Sequence, residues 1–185
     1  MANYVTADLH FNDQKIVDVV RKRFVSVREH DDFIVRAVNS VVGRNDTLYI
    51  LGDVGILPIQ GIKHEIGRIV GRKILVVGNH DRFSDEAARE MGFDEVYRHP
   101  IYVSPHVILS HEPVMEAYMN EYVINVHGHI HGDRIPCRGF VNANIDATNY
   151  KPLSLDAIIR NAAKECLPRW EKYGNEWYAD LMKRP

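Results

Sequence analysis

The chain has 185 residues, 45% of them hydrophobic and 26% charged, and a formal net charge of −2. This length gives one substantial core and falls short of what two full domains usually need, so a single domain is expected over 1–185. The balanced charge provides no global field toward nucleic acid or anionic membrane, and no apolar stretch approaches the ~20 residues that span a bilayer.

Tyr4-Val5 is the first short buried strand. Asn12 or Asp13 then caps a helix with Ile16, Val17, Val20 and Phe24 on one face. A second helix starts near Asp31-Asp32, carries Phe33, Ile34, Ala37, Val38, Val41 and Val42 at helical spacing, and stops at Gly43. Asn45-Asp46 turns the chain into strand Leu48–Leu51. Pro58 and Gly61 punctuate a loop before a third helix bearing Ile62, Ile66 and Ile69, closed by Gly71. Strand Lys73–Val77 follows, and Ser84-Asp85-Glu86 starts another helix with acidic residues in its positive first turn. From there to Ile145 the chain reads as short strands (Val107–Leu109 and Tyr122–Ile124 among them) broken by Pro100, Pro105, Pro113 and Pro136. Ser154 caps a closing helix from Leu155 to Leu167.

The segment 168–185 holds Trp170, Tyr173, Trp177 and Tyr178, and is expected to pack on the body as a terminal helix. A dimer contact is the alternative for these aromatics, leaving a monomer or a homodimer. Cys137 and Cys166 lack metal or disulfide spacing and are expected as buried thiols. No charged-then-apolar leader precedes Asp8, which makes the cytoplasm the expected compartment.

Each apolar run ends in a polar cluster: Asp8-Leu9-His10, Gly52-Asp53, Gly78-Asn79-His80-Asp81, Ser110-His111-Glu112 and His127-Gly128-His129-Ile130-His131. Ligands of α/β sheets gather beyond the carboxyl ends of strands, so these clusters predict one site. Their donors are hard oxygen and imidazole without thiolate, which describes a metal centre. Asp8 with His10, and His129 with His131, are two residues apart and on an ideal strand face the same side.

Asp8, His10, Asp53, Asn79, His111, His129 and His131 are the candidate ligands. A catalytic zinc takes about three protein ligands, so this set, with one carboxylate shared, fills two sites. Two divalent ions against Asp8, Asp53 and one bridging hydroxide leave about +1 in such a centre, by the two-metal logic of phosphoryl chemistry. The neutral amide of Asn79 preserves that charge for an anionic substrate. His80 is placed to protonate a leaving oxygen, with Asp81 orienting its ring. His30, His64, His99 and His106 are read as ordinary solvated or hydrogen-bonded residues. His127 is read as structural, since it alternates away from His129.

This ordered series resembles the calcineurin-like metallophosphoesterase superfamily, whose motifs run Asp-x-His, Gly-Asp, Gly-Asn-His-Asp, His and Gly-His-x-His. The match spans residues 8 to 131, and the flanking sequence, Lys151-Pro152-Leu153-Ser154-Leu155 included, is similar to small single-domain phosphoesterases of bacteria and phages. The resemblance implies an α/β fold of two mixed β-sheets packed as a sandwich and flanked by helices. It further implies one metal at Asp8, His10, Asp53 and His131 and a second at Asp53, Asn79, His111 and His129, with His80 beside the leaving group. Two departures bear on substrate contacts: Val54-Gly55 stands where many members carry an acidic residue, and Glu112-Pro113 adds no cation after His111.

The expected activity is phosphoester hydrolysis by a metal-bridging hydroxide, with manganese first and iron, zinc, nickel or cobalt as alternatives. A small phosphoester is the expected partner, phosphodiesters slightly ahead of phosphomonoesters or nucleotides. Two other classes compete. A non-catalytic scaffold of this fold has no need of His80 and a full ligand set. A nucleic-acid-processing subunit needs a basic groove or aromatic platform that the balanced charge does not support.

Overall fold

A computed structural model describes residues 1–120 and 122–169. The chain forms two mixed sheets. The first has the order β4-β3-β2-β1-β9, from β1 (Asn3–Thr6), β2 (Thr47–Leu51), β3 (Arg72–Val76), β4 (Glu95–Tyr97) and β9 (Leu153–Ser154). Its first four strands are parallel, and β9 closes the edge antiparallel to β1. The second sheet has the order β5-β6-β7-β8, from β5 (Ile101–Ser104), β6 (Val107–Leu109), β7 (Ile124–His127) and β8 (Phe140–Asn142). Here β6, β7 and β8 are parallel and β5 is antiparallel.

Strand alternation explains the layering. In β2, Leu48 and Ile50 point to one face and join Leu75, Leu9 and Phe11 against helices α2 (Val27–Asn39), α3 (Ile59–Arg68) and α4 (Asp85–Met91). Tyr49 and Leu51 point to the other face, where Val5, Ala7 and Val76 meet Val107, Leu109 and Val126 of the second sheet. Leu155 and Ala162 of helix α6 (Leu155–Arg169) close this inter-sheet core. A strand buried on both faces needs apolar residues throughout, hence the unbroken runs in the sequence. Each fully buried Leu or Ile contributes roughly 1.5–3 kcal/mol relative to exposure.

Several boundaries differ from the sequence expectation. Helix α1 (Gln14–Val19), capped by Asp13 through Ile16 N–H, stops before Val20 and Phe24. Arg21 turns inward just after it, and its fully buried guanidinium holds the chain out of a further helical turn. Helix α2 begins at Val27 instead of Asp31, because Ser26 accepts from Glu29 N–H (3.2 Å) while Glu29 accepts from Val25 N–H (2.8 Å). This reciprocal arrangement approximates a capping box. Helix α2 ends at Asn39, four residues before the Gly43 stop. Helix α3 absorbs Gly61, which was expected in the preceding loop. A short helix α5 (Met115–Met119) occupies a stretch read as strand and turn.

Strand β7 runs to His127, later than the Tyr122–Ile124 expectation. Asn125, fully buried inside it, donates to Ser110 Oγ (2.8 Å) and accepts from Val114 N–H (3.0 Å), so a satisfied polar residue sits where an apolar run would end. Cys137 corrects the expectation of a buried thiol: it is exposed and free. From residue 170 onward the aromatic C-terminal segment lies outside the described residues. Among the described residues no helix is long and apolar enough to cross a membrane.

Candidate metal centre

The parallel strands of both sheets end on one side. Asp8 follows β1, Asp53 follows β2, Asn79 follows β3, His111 follows β6, and His129 and His131 follow β7. The turns are tight. Asp8, His10, Asp53, His129 and His131 all adopt left-handed backbone, with φ of 57, 51, 48, 69 and 49°. Each such residue costs on the order of 1–3 kcal/mol and persists only where its surroundings over-determine it. Here Asp8 N–H donates to Gly52 C=O (3.1 Å) and His10 N–H to Asp53 C=O (3.0 Å), extending the β1–β2 ladder through the turns. The two-residue spacing of Asp8 and His10 therefore works through turns, and the ideal-strand expectation is corrected. Gly128 allows the same closeness between sheets, because a Cβ there would collide with Asp8 Oδ2.

Two donor groups result. One donor atom each from Asp8, His10 and His131 lies within 4.8 Å of the others, and Asp53, His111 and His129 form a second such group. Asp53 faces both: its Oδ2 is 3.9 Å from His10 Nε2 and its Oδ1 is 3.5 Å from His111 Nε2. The amide oxygen of Asn79 joins the second group, 2.7 Å from His111 Nε2 and 3.0 Å from His129 Nδ1. All seven predicted ligands thus come together.

The donors fit metal ions. His10 Nδ1 bonds Asp13 Oδ2 (3.0 Å), which leaves Nε2 buried without a hydrogen-bond partner. His111 Nδ1–H donates to Leu51 C=O (2.9 Å), so its Nε2 presents a lone pair toward the lone pairs of Asn79 Oδ1. Converging lone pairs repel unless a cation lies among them. Outer hydrogen bonds of this kind fix the tautomer and aim of metal-binding imidazoles.

Electrostatics points the same way. Burial pushes Asp8 up to about 7, against the lowering effects of His111 and the His129 N–H, while Asp53 adds to the rise. Burial lowers His10, so the neutral ring a metal needs is favoured, although Asp13 opposes the shift. A buried carboxylate held against its charged form is one that a divalent cation would relieve.

His80 is exposed at the rim, its ring centroid 6.3 Å from that of His10, and its N–H donates to Asp53 Oδ1 (3.0 Å). Asp81 differs from expectation. Its oxygens accept from Asp53 N–H (3.0 Å), Val54 N–H (2.9 Å) and Gly78 N–H (2.8 Å). It locks two ligand-bearing turns together and makes no bond to the His80 ring. Burial raises it, while the Gly78 and Val54 N–H groups oppose the rise. His127 is buried at the end of β7 with Nδ1 against Gly128 C=O (2.9 Å), outside both groups.

Sequence reasoning missed a buried layer beneath the candidate ligands. Asp146 Oδ2 bonds His131 Nδ1 (2.9 Å), and its Oδ1 accepts from Arg21 Nε (2.9 Å). Arg21 also donates to the carbonyls of Leu9 (3.0 Å) and Asp8 (2.7 Å), and its Nη1 lies 2.8 Å from His30 Nε2. Burial alone would raise Asp146, but His131 and Arg21 hold it at about 2; its hydrogen bond in turn raises His131. A signal existed in Asn142-x-Asn144-x-Asp146, polar at every second residue from the last residue of β8 onward.

Two cavities flank the centre. One, about 460 Å³, touches His10, His80 and His131 and is walled by Ile16, Val19, Val20 and Ile56. The other, about 470 Å³, touches Asn79 and His111.

The sequence model described as calcineurin-like phosphoesterase matches residues 3–179. The chain is 28% identical over 166 residues to the uncharacterized protein MJ1445 of Methanocaldococcus jannaschii, covering 85% of this chain and 89% of that one. It is 31% identical over 179 residues to the gene 66 protein of Mycobacterium phage L5, covering 78% and 86%. It superposes on the crystal structure of AQ665, a protein of unknown function from Aquifex aeolicus, with a TM-score of 0.65 and 28% identity, over 86% of this chain and 98% of that one.

Proposed function

The chain belongs to the calcineurin-like phosphoesterase family, and from that premise we propose that it hydrolyses phosphoester bonds, phosphodiesters included, with two divalent transition-metal ions, manganese first among them. The observation that carries this reading is the pair of donor groups meeting at Asp53, each with a buried carboxylate and two imidazoles. Asp8, His10, His131 and Asp53 would hold one ion, and Asp53, Asn79, His111 and His129 the other. Two such ions, when bound, acidify a water and neutralise phosphoryl oxygens, the recurring chemistry of paired-metal phosphoesterases.

The chain's own residues supply the remainder. The water oxygen forms its bond to phosphorus as the opposite P–O bond breaks, and the departing alkoxide keeps that electron pair. His80, exposed at the rim, gives a proton to this alkoxide. Asp53 positions His80 by accepting its backbone N–H, and Asp81 holds the turns that carry both. The products are an alcohol and a phosphate carrying one fewer ester bond.

Metal analysis after mild Mn²⁺ loading tests the proposal, with a stoichiometry approaching the paired-site value expected. Hydrolysis of bis-p-nitrophenyl phosphate should vanish on exhaustive chelation and return on Mn²⁺ addition. Activity indifferent to chelation would overturn it.

A further inference from the structure

The cavity beside His80 has an aliphatic wall. Its lining includes Val19, Val20 and Ile56, which are 59%, 49% and 37% exposed, over the buried Ile16. Sequence periodicity would bury Val20 with Ile16 and Val17, but helix α1 stops at Val19 and leaves both valines facing the opening. Leaving several large aliphatic side chains in water beside a polar centre is unfavourable unless something covers them. The cavity is continuous with the site, since His10, His80 and His131 form its other wall, and its 460 Å³ falls in the range of ligand pockets. Lys15 is the cation at its edge.

We propose that this cavity is the leaving-group subsite, and that the preferred substrate carries an apolar, preferably aromatic, alcohol on the phosphorus. The inference rests on the hydrolase reading above, because it is His80 in that wall that would protonate the departing oxygen. The bond that breaks joins phosphorus to the oxygen of this apolar alcohol. The alcohol takes the electron pair and the His80 proton, and the remaining phosphoryl product keeps the water oxygen.

Phosphonates, which are not hydrolysed, separate binding from catalysis. On the Mn²⁺-loaded protein, phenylphosphonate should bind about ten-fold tighter than methylphosphonate, the gain expected from burying a ring in a half-open apolar pocket. Val19→Ser/Val20→Ser should reduce that preference to less than about two-fold by weakening phenylphosphonate binding, since the aryl group loses its apolar wall and no charge is added beside the phosphonate. Val19→Asn/Val20→Asn replaces it where melting shows that the serines disturb the fold. Val25→Asp, at a 91% exposed position outside the cavity, should leave the preference intact. Equal binding of the two phosphonates by the wild type, or a phenyl preference surviving both valine pairs, overturns the inference. A retained phenyl preference with no hydrolysis of any ester overturns the hydrolase reading and leaves the apolar pocket standing.

Discussion

His80 is the residue whose chemistry is most separable from metal binding, because its ring lies outside both donor groups. His80→Ala should leave Mn²⁺ content intact and lower turnover by roughly 10²–10⁴-fold, the span of general acid–base catalysis. The loss should shrink for esters of acidic alcohols, which depart without a proton; equal losses across leaving groups would refute the acid role. Asp146 acts one step back. Asp146→Asn weakens the bond that aims His131 and should lower Mn²⁺ affinity at the Asp8–His10–His131 group by roughly 10–100-fold, as loss of an outer carboxylate does elsewhere. The other group should titrate as before. The substitution also changes acid stability. Asp146 sits at about 2 when folded, below its ordinary value, so its contribution is fully present above the usual carboxylate range and is lost as pH falls toward 2. Metal-free Asp146→Asn should lack that acid-side dependence in pH-dependent melting. The seven candidate donors were legible as a group because each is a metal-binding residue type just beyond a strand end. Arg21 and Asp146 were not, because they pair with each other across 125 positions of sequence.

At the level of elements, helix α2 carries His30 and Asp31 into the buried layer beneath the Asp8–His10 turn. His30 meets Arg21, and Asp31 accepts Asn12 N–H at 3.0 Å. Its start depends on Ser26, so Ser26→Ala should cost about 1 kcal/mol, the usual value of an N-cap. For a chain of this size that lowers the melting temperature by ~2–4 °C. Mn²⁺ stoichiometry should not change, and a cap mutant that sheds metal would show that α2 is less independent of the site than its position implies. The central strands β1, β2 and β3 of the first sheet were readable from their apolar runs, since parallel strands buried on both faces tolerate little else, whereas the edge strands β4 and β9 carry no such run. What escaped was decided by tertiary contact: the early end of α1 at Arg21, and the polar Asn125 satisfied inside β7. The strain at five ligand-bearing residues was equally hidden, because positive φ at Asp or His leaves no mark in composition.

For the whole molecule, the arrangement of two sheets brings the carboxyl ends of five parallel strands to one edge, and the candidate ligands sit in the first few residues of the loops beyond them. The centre is consequently flanked by two cavities of similar volume, about 460 and 470 Å³, one beside each donor group. A phosphoryl group drawn to metal ions at Asp53 would have space on both sides, which suits an ester with two substituents. A phosphomonoester has one substituent and an extra charge, and gains from cations beyond the metals. Arg82 and Arg134, the arginines nearest the motifs in sequence, are exposed and line neither of these cavities, while Arg98 in the second is engaged by Asp85 Oδ1 (2.7 Å) and Phe83 C=O (2.9 Å). Apart from the exposed Lys15 of the first cavity, the dianion therefore finds little additional help. Under identical Mn²⁺ loading, kcat/KM for bis-p-nitrophenyl phosphate should equal or exceed that for p-nitrophenyl phosphate. Because the leaving group is the same in both, the comparison isolates the second substituent. A clear monoester preference that disappears on Arg82→Ala or Arg134→Ala would mean that one of these exposed arginines folds over the phosphate in the substrate complex.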